Sequence, residues 1–178
     1  ADTRLLVSSS DNGGFDRFSN NTAGATHTVI AQNAGTNIGI SGNYGGTNSV
    51  DEITANGNAN VNIVGSSSVH NNWDFSNTTL TGIAQIRGGD ATANDTIVGS
   101  AAGDTILGLG GNDILSGGGG DDTFIYSSGH GRDTVDGGAD NDTQIINGST
   151  NDEAFNVNAI TVGGNAHVGV NIEAGAMN

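Results

Sequence analysis

The stretch "GSAAGDTILGLGGNDILSGGGGDDTFIY", Gly99 to Tyr126, decides the fold. An aspartate recurs in it every nine residues, at Asp104, Asp113 and Asp122. Glycines precede each aspartate, and an Ile, Leu or Phe follows two positions later. Such regularity predicts a backbone unit that is repeated, because a solvated linker does not keep an apolar residue in register with an acid.

The repeat extends over six nine-residue units, and only Tyr126 and Ser127 interrupt its register. The units are Asp90–Val98, Gly99–Leu107, Gly108–Ser116, Gly117–Ile125, Ser128–Asp136 and Gly137–Ile145. The eighth position is apolar in five units, whereas Gln144 holds it in the last, where we expect the regular coils to end. The sixth position is always aspartate: Asp95, Asp104, Asp113, Asp122, Asp133 and Asp142.

Each unit predicts one tight turn followed by one short strand. Glycine adopts positive φ without steric cost, and threonine and β-branched residues favour strands. Alternation along the strand directs the eighth position inward and the seventh and ninth outward. Two units therefore complete one coil of a flat solenoid with a turn at each rim. The aspartates of successive coils then form two columns: Asp95, Asp113 and Asp133 at one rim, and Asp104, Asp122 and Asp142 at the other.

Carboxylates stacked about 4.8 Å apart, the spacing of neighbouring strands, repel one another unless a cation lies between them. Calcium suits such a position, because it accepts six to eight oxygen ligands, including the carbonyls that a glycine turn leaves free. The pattern therefore predicts calcium as the cofactor.

The charge of the chain points to the same class of partner. Nineteen acids stand against four arginines and no lysine, and the net charge is −15. Thirteen of the nineteen acids follow Arg87, in the part that contains the repeat. Nucleic acid and anionic lipid need basic clusters, so both are excluded as expected partners.

The array resembles the RTX nonapeptide G-G-x-G-x-D-x-U-x, the hemolysin-type calcium-binding repeat of secreted bacterial proteins. Two segments, "GLGGNDILS" and "GGGGDDTFI", are close to that consensus. The resemblance implies a right-handed parallel β-roll in which each calcium lies between one turn and the turn eighteen residues further on. The earlier turn contributes the carbonyls of its second and fourth positions and its aspartate, and the later turn those of its first and third positions and its aspartate.

Applied to this chain, the resemblance implies four calcium sites. One joins Ser100, Ala102 and Asp104 to Gly117, Gly119 and Asp122; the second joins Ala91, Ala93 and Asp95 to Gly108, Gly110 and Asp113; the third joins Gly118, Gly120 and Asp122 to Gly137, Ala139 and Asp142; the fourth joins Leu109, Gly111 and Asp113 to Ser128, His130 and Asp133. The fourth site spans the two-residue interruption of the repeat.

The flanks predict three regions in an all-β chain. Residues 1–87 are expected to form an irregular β-solenoid that leads into a roll over residues 88–145, with a β-sandwich as the alternative. Trp73 and Phe75 are expected to fill a core rather than to stack on a sugar. Residues 146–178 are expected to cap the roll or, by the resemblance, to act as a type I secretion signal. The strand candidates, separated by Gly, Asn and Ser turns, are "RLLVSS", "HTVIAQ", "TNIGISG", "VDEITANG", "NVNIVGSS", "NTTLTGIAQIRGG", "AITVGG" and "AHVGVNI".

No catalytic constellation is found in the sequence. The four histidines lack the spacing of a zinc site, and no G-x-S-x-G motif occurs, so we expect no enzyme. No apolar run reaches the roughly 18 residues of a membrane span. The predicted function is that of an extracellular structural protein at a bacterial cell surface: an S-layer-like subunit, a fibre, or an adhesin or matrix module. Its expected partners are calcium and, beyond calcium, copies of itself or surface glycans. The alternatives are a non-catalytic folding and secretion module of a larger secreted hydrolase or toxin, and a carbohydrate-binding module.

Overall fold

The computed structural model describes residues 2–7, 25–46, 49–90, 92–148, 154–162 and 165–173, the last two ranges as backbone alone. It is an all-β solenoid of about 5 turns, and its described residues include no α-helix. This confirms the predicted fold class. None of the described residues belongs to a helix with the length and hydropathy of a membrane span.

Among the residues that the structure describes, fifteen short strands build the solenoid and two longer ones follow it. The strands are β1 Thr3–Val7, β2 His27–Ala31, β3 Asn37–Ile40, β4 Asn43–Tyr44, β5 Glu52–Thr54, β6 Asn62–Gly65, β7 Asn72–Asp74, β8 Thr79–Thr81, β9 Gln85–Arg87, β10 Thr96–Val98, β11 Thr105–Leu107, β12 Ile114–Gly118, β13 Thr123–Ser127, β14 Thr134–Gly138, β15 Thr143–Asn147, β16 Ala154–Val162 and β17 Asn165–Glu173.

The solenoid begins with three sides and continues with two. Sheet 1 contains β1, β2, β5 and β8; sheet 2 contains β3, β6, β9, β11, β13 and β15; sheet 3 contains β4, β7, β10, β12 and β14. All neighbours in these sheets are parallel. Sheet 1 ends at β8, and from β9 onward the chain alternates between sheets 2 and 3. The two sheets of the roll therefore continue the sheets of the preceding coils.

The spacing of the coils follows the repeat. Asp95 and Asp113, on successive coils, are 18 residues apart, and Asp113 and Asp133 are 20 apart. The two additional residues are Tyr126 and Ser127, which extend β13 beyond the length of β11 and pair with Ile146 and Asn147 of β15. The interruption in the sequence is thus absorbed at the end of a strand, and both sheets keep their parallel pairing beyond it.

The core lies between the sheets as a single stack of inward-pointing side chains. Within the roll, strands β10 to β13 each bury a large residue, such as Ile106 at 0 % exposure and Phe124 at 2 %, and the inward residues of β14 and β15 are only partly buried. In the three-sided coils the core is thicker, and Trp73 and Phe75 lie fully inside it, edge to face with ring centroids 5.8 Å apart. Their predicted core role is confirmed, and their burial leaves no ring face for a sugar.

In the flanking regions the sequence predicted the solenoid but not all of its strands. Each predicted N-terminal segment contains a strand, and parallel pairing identifies a solenoid rather than a β-sandwich. The short strands β4 and β7 were missed. At the C-terminal end, β16 and β17 form an antiparallel hairpin. Residues 149–153, 163–164 and 174–178 lie outside the described residues, and the cap or secretion role of residues 146–178 stays a prediction.

Candidate metal centre

The six repeat aspartates stack into two columns, one at each rim of the roll. In each column a carboxylate Oδ1 accepts a hydrogen bond from the backbone N–H of the aspartate one coil earlier. This bond ties the side chain of one coil to the backbone of the next, so the columns are part of the coil-to-coil contact. The four bonds measure 2.7 to 3.1 Å and link Asp95 with Asp113, Asp113 with Asp133, Asp104 with Asp122, and Asp122 with Asp142.

The second carboxylate oxygen has a partner in the first two turns. The Oδ2 of Asp95 accepts the backbone N–H of Gly89 at 2.8 Å. The Oδ2 of Asp104 accepts both the backbone N–H and the hydroxyl of Ser100, at 2.6 and 2.9 Å. A buried carboxylate needs such donors, because an ion removed from water without compensation is strongly unfavourable.

In the next two turns that oxygen has no donor. The Oδ2 atoms of Asp113 and Asp122 are buried and make no hydrogen bond, although both residues are only 1 % exposed. The residue in the second position of these turns has positive φ, 70° at Leu109 and 99° at Gly118. In these two turns the backbone N–H of the second residue does not donate to Oδ2, as the N–H of Gly89 and of Ser100 does in the first two turns. Two anionic oxygens are therefore left for another kind of partner.

Burial also raises the pKa of four carboxyl groups in the columns. The pKa of Asp113 rises to about 7, chiefly by desolvation, with a contribution from the neighbouring carboxylates of Asp133 and Asp95. Desolvation likewise raises the pKa of Asp122 and of Asp133 to about 6. The pKa of Asp104 is raised by burial and partly lowered again by its bonds to Ser100. The columns thus hold negative charge at neutral pH against an electrostatic penalty that a cation would remove.

The first glycine of a turn leaves room for oxygens from two coils. A Cβ atom placed on Gly99 would lie 2.9 Å from Asp104 Oδ2 and would overlap the carbonyl oxygen of Gly117 in the following coil. A carboxylate oxygen of one turn and a backbone carbonyl of the next therefore converge on the space beside this glycine. We call such a place a junction.

Two further junctions repeat this arrangement. Beside Gly117, the oxygens come from Asp122 Oδ2 and the carbonyl of Gly137. Beside Gly88, they come from Asp95 Oδ2 and the carbonyl of Gly108. Any side chain at these glycines would fill the space in which the oxygens meet.

The donor set fits calcium. Across the part of the chain that the structure describes, no three His, Asp or Glu side chains gather around one point, so any metal must draw on backbone carbonyls. Carboxylate and carbonyl oxygens are the ligands that calcium takes. When bound, the ion supplies the positive charge that the orphan Oδ2 atoms lack.

The carbonyl oxygens of the second positions each accept one hydrogen bond and can accept a further partner. The carbonyl of Ser100 accepts the N–H of Gly119 at 3.2 Å, and that of Gly118 accepts the N–H of Ala139 at 3.1 Å. A carbonyl oxygen has two lone pairs, so each keeps acceptor capacity for a cation. The structure thus stacks the members of the first and third predicted sites turn upon turn, with Gly120 above Ala102. Their role as ligands stays a prediction.

The second predicted site needs a correction at its start. Ala91 lies outside the described residues, and Gly89 takes the position that the sequence analysis gave to Ala91. The carbonyl of Gly89 accepts the N–H of Gly110 at 3.3 Å, just as the carbonyl of Ser100 accepts that of Gly119. This turn begins at Gly88 and is two residues longer than its neighbours. The pair of glycines before Asp90 was the signal for it.

The fourth predicted site differs from the other three in the residues beside its first glycine. Strand pairing places Tyr126 level with Gly108, since Phe124 pairs with Ile106. The Tyr126 hydroxyl donates to the carbonyl of Gly131 at 2.6 Å, and its ring packs edge to face on His130, with centroids 5.4 Å apart. A Cβ on Gly108 would meet Asp113 atoms, with no carbonyl of Ser128 among the nearest three.

His130 is part of the same packed turn. Its Nδ1 accepts the backbone N–H of Ser127 at 3.3 Å, and burial lowers its pKa, so the ring is neutral at pH 7. The aromatic pair of Tyr126 and His130 therefore packs the turn that follows β13. The residues predicted for this site lie at the rim, and their role as ligands stays a prediction: Leu109, Gly111, Asp113, Ser128, His130 and Asp133.

Residues 91–124 and 127–144 match the family model of the RTX calcium-binding nonapeptide repeat, in four copies. The predicted resemblance is thereby confirmed for the repeat block. The chain has no match among curated protein sequences or among solved structures.

Proposed function

We propose that this chain, whose residues 91–144 are RTX calcium-binding repeats, is a secreted structural protein of a bacterial surface. Its roll folds when calcium binds outside the cell, and folded copies assemble with one another as an S-layer-like subunit, a fibre or a matrix module. The observation that carries the proposal is the pair of buried, unpartnered Oδ2 atoms on Asp113 and Asp122. They leave the roll incomplete without a cation.

Calcium at the junctions is of the right energetic size to control folding. Extracellular calcium modules have dissociation constants of about 10⁻⁴–10⁻³ M. At about tenfold excess of calcium each site contributes roughly 1.4 kcal/mol, so three junctions contribute about 4 kcal/mol. That is a large part of the 5–15 kcal/mol that typically stabilises a whole domain. Where calcium is scarce, the charge of the columns and the thin core favour the unfolded roll.

A non-catalytic role fits the placement of the polar side chains. The repeat acids form the two columns. His27 pairs with the Asp51 carboxylate at 3.4 Å, and the His70 ring lies 2.8 Å from the carbonyl of Asn94. In the described ranges these contacts tie coils to each other, as expected of a structural protein.

Circular dichroism of the whole chain tests the proposal. In a chelator the β signal should fall to that of the N-terminal coils, and millimolar calcium should restore it, whereas equal magnesium should not. Magnesium is the matched control because it demands a tighter, octahedral oxygen shell. A spectrum that does not respond to calcium contradicts the proposal. Light scattering in calcium tests assembly, and a folded but monomeric chain would favour the secretion-module alternative.

A further inference from the structure

The outer face of sheet 2 differs in charge from the rest of the molecule. We call it the neutral face: the residues of β3, β6, β9, β11, β13 and β15 that alternate with the buried ones. None of them is acidic, and Arg87 is the only ionisable residue among them. The chain has nineteen acids, and both other sheets carry some on their outer faces: Glu52 in sheet 1, and Asp74 and Asp136 in sheet 3.

On the roll, the neutral face consists of two columns of side chains in register. One column is threonine and the other aliphatic, and each continues over three coils at the strand spacing. Ile125 pairs with Ile145, and Thr123 pairs with both Thr105 and Thr143. Ile145 is 41 % exposed, although it is a large apolar residue. The columns are Thr105, Thr123 and Thr143, and Leu107, Ile125 and Ile145.

From these observations we infer that the neutral face is the surface through which copies of this chain pack side by side. The inference rests on the proposed structural function and assigns its contact surface. Copies with a net charge of −15 repel each other, and repulsion is smallest where no acid points outward. Threonine methyls and aliphatic side chains on a parallel sheet also offer apolar area to a second sheet at about 10 Å, as in face-to-face sheet packing.

Calcium should control this contact because the aspartate columns border it. Each strand of the roll in sheet 2 follows one aspartate column and leads into the turn of the other. In the absence of cations both rims place carboxylates beside the face, within the roughly 8–10 Å over which charges act at moderate salt. Cations at the junctions would offset that charge, so lateral packing should require calcium.

The size of the face predicts a weak individual contact. Six strands about 4.8 Å apart and three residues wide cover about 300 Å². A standard stable interface buries about 800 Å² on each partner, so one pair of copies should associate only at high concentration. Repetition of the contact along an array adds the avidity that a single pair lacks.

Sedimentation velocity of the full chain in calcium tests the inference with two matched variants. Ile125→Glu places an acid at the centre of the neutral face, whereas Ile114→Glu places the same acid on sheet 3, at a residue that is 57 % exposed. We expect wild type and Ile114→Glu to associate as concentration rises, and Ile125→Glu to weaken association at least tenfold. Circular dichroism in calcium establishes that each variant is folded. If Ile125→Glu does not fold, Ile145→Glu replaces it at the exposed end of the same column.

The outcomes separate this inference from the proposed function. Association of Ile125→Glu equal to wild type, or equal loss in both variants, overturns the assignment of the face while leaving calcium-dependent assembly intact. A wild type that folds in calcium and stays monomeric at all concentrations overturns both the face and the structural role. A wild type that does not respond to calcium overturns the proposed function at its first step.

Since the chain has no cysteine, a single introduced thiol gives a second readout for a weak contact. Ile125→Cys should yield disulfide dimers in calcium faster than Ile114→Cys, which measures random collision. Equal rates would count against the neutral face.

Discussion

The three-sided coils and the two-sided roll share two continuous sheets yet are stabilised differently. In the three-sided coils, aromatic side chains fill the interior, and the Tyr44 hydroxyl lies 2.9 Å from the Thr78 hydroxyl inside the core. In the roll, few apolar residues are fully buried, among them Ile97, Ile106, Leu115 and Phe124, and the rims add carboxylates. Apolar burial stabilises the first region without a metal, whereas the second has too little of it and holds charge that must be offset.

The boundary between the two regions lies at one side chain. Asn71 continues the column that begins with Asp133, Asp113 and Asp95, one coil further toward the N-terminus. Its backbone N–H and its Nδ2 both donate to Asp95 Oδ1, at 2.8 and 3.1 Å. Its Oδ1 accepts the backbone N–H of Ser66 at 3.3 Å. The column thus ends in a neutral amide that is fully buried and fully bonded.

The turn around Asn71 otherwise copies a repeat turn. A Cβ on Gly65 would lie 2.7 Å from Asn71 Nδ2, as a Cβ on Gly88 would lie 2.5 Å from Asp95 Oδ2. An amide nitrogen therefore occupies the place that a carboxylate oxygen occupies in the roll. We therefore expect dependence on a cation to begin where asparagine gives way to aspartate, at a turn with the same glycine contact.

The largest expected effect is that a chelator unfolds the roll and leaves the three-sided coils folded. Without calcium, hydrogen exchange measured by mass spectrometry should show lost protection in residues 96–147 and retained protection in residues 27–88. The reason is that only residues 96–147 belong to the roll, whose aspartate columns hold charge that must be neutralised. Added calcium should protect the first range and change the second little. Equal loss in both ranges would show that the solenoid and the roll fold as one unit.

Filling one junction should destabilise the roll by about 1–3 kcal/mol, the usual cost of overpacking. Gly117→Ala places a methyl group against Asp122 Oδ2 and the carbonyl of Gly137. Its matched control is Gly119→Ala in the same turn, where the nearest atom to the new methyl is 3.7 Å away and φ is ordinary. The calcium concentration at half folding should rise for the first variant and stay near wild type for the second. Similar shifts in both would remove the junction as the cause.

Protonation should partly replace calcium in the roll. Burial raises the pKa of Asp113 to about 7 and of Asp122 to about 6, against about 3.9 in an unfolded chain. The folded, calcium-free roll therefore binds more protons than the unfolded chain between these values. The resulting stability is complete below about pH 4 and is lost as pH rises through about 6 to 7. In a chelator, the free energy of unfolding should thus be larger at pH 5 than at pH 8.

The same experiment has an internal control in adjacent residues. Asp122→Asn should flatten the pH dependence, because it removes a buried titrating group. Asp121→Asn changes an exposed neighbour whose charge is the smallest contribution to the raised pKa of Asp122, so it should change the dependence much less. A calcium-free roll that loses stability between pH 8 and pH 5 would contradict the sign worked out from these pKa shifts.

The repeat block was predictable because glycine, aspartate and an apolar residue recur at fixed positions, and each position has one physical role. The same reasoning misplaced the first turn, since Gly88 and Gly89 lie two residues outside the nine-residue frame. It could not predict that Tyr126 packs against the turn after β13, because the repeat consensus has no aromatic residue at that position. Strands β4 and β7 were not predicted because Asn–Tyr and Asn–Trp–Asp are too short to show an alternating pattern of apolar and polar residues. In them, packing of Tyr44 and Trp73 decides the structure, a contact between coils that a linear pattern does not contain.

The final expected effect concerns the boundary residue and falls on the three-sided coils rather than on the roll. Asn71→Asp removes the Nδ2 donor and sets a second carboxylate against Asp95, where no donor replaces it. Loss of one buried bond to a charged group predicts about 1–3 kcal/mol less stability of the three-sided coils at pH 8 in a chelator, measured by urea unfolding. Asn72→Asp, at the exposed neighbour, is the control and should change little. If the amide is what ends the need for a cation, calcium should recover part of the stability that Asn71→Asp loses; a loss that calcium leaves unchanged would assign Asn71 a packing role alone.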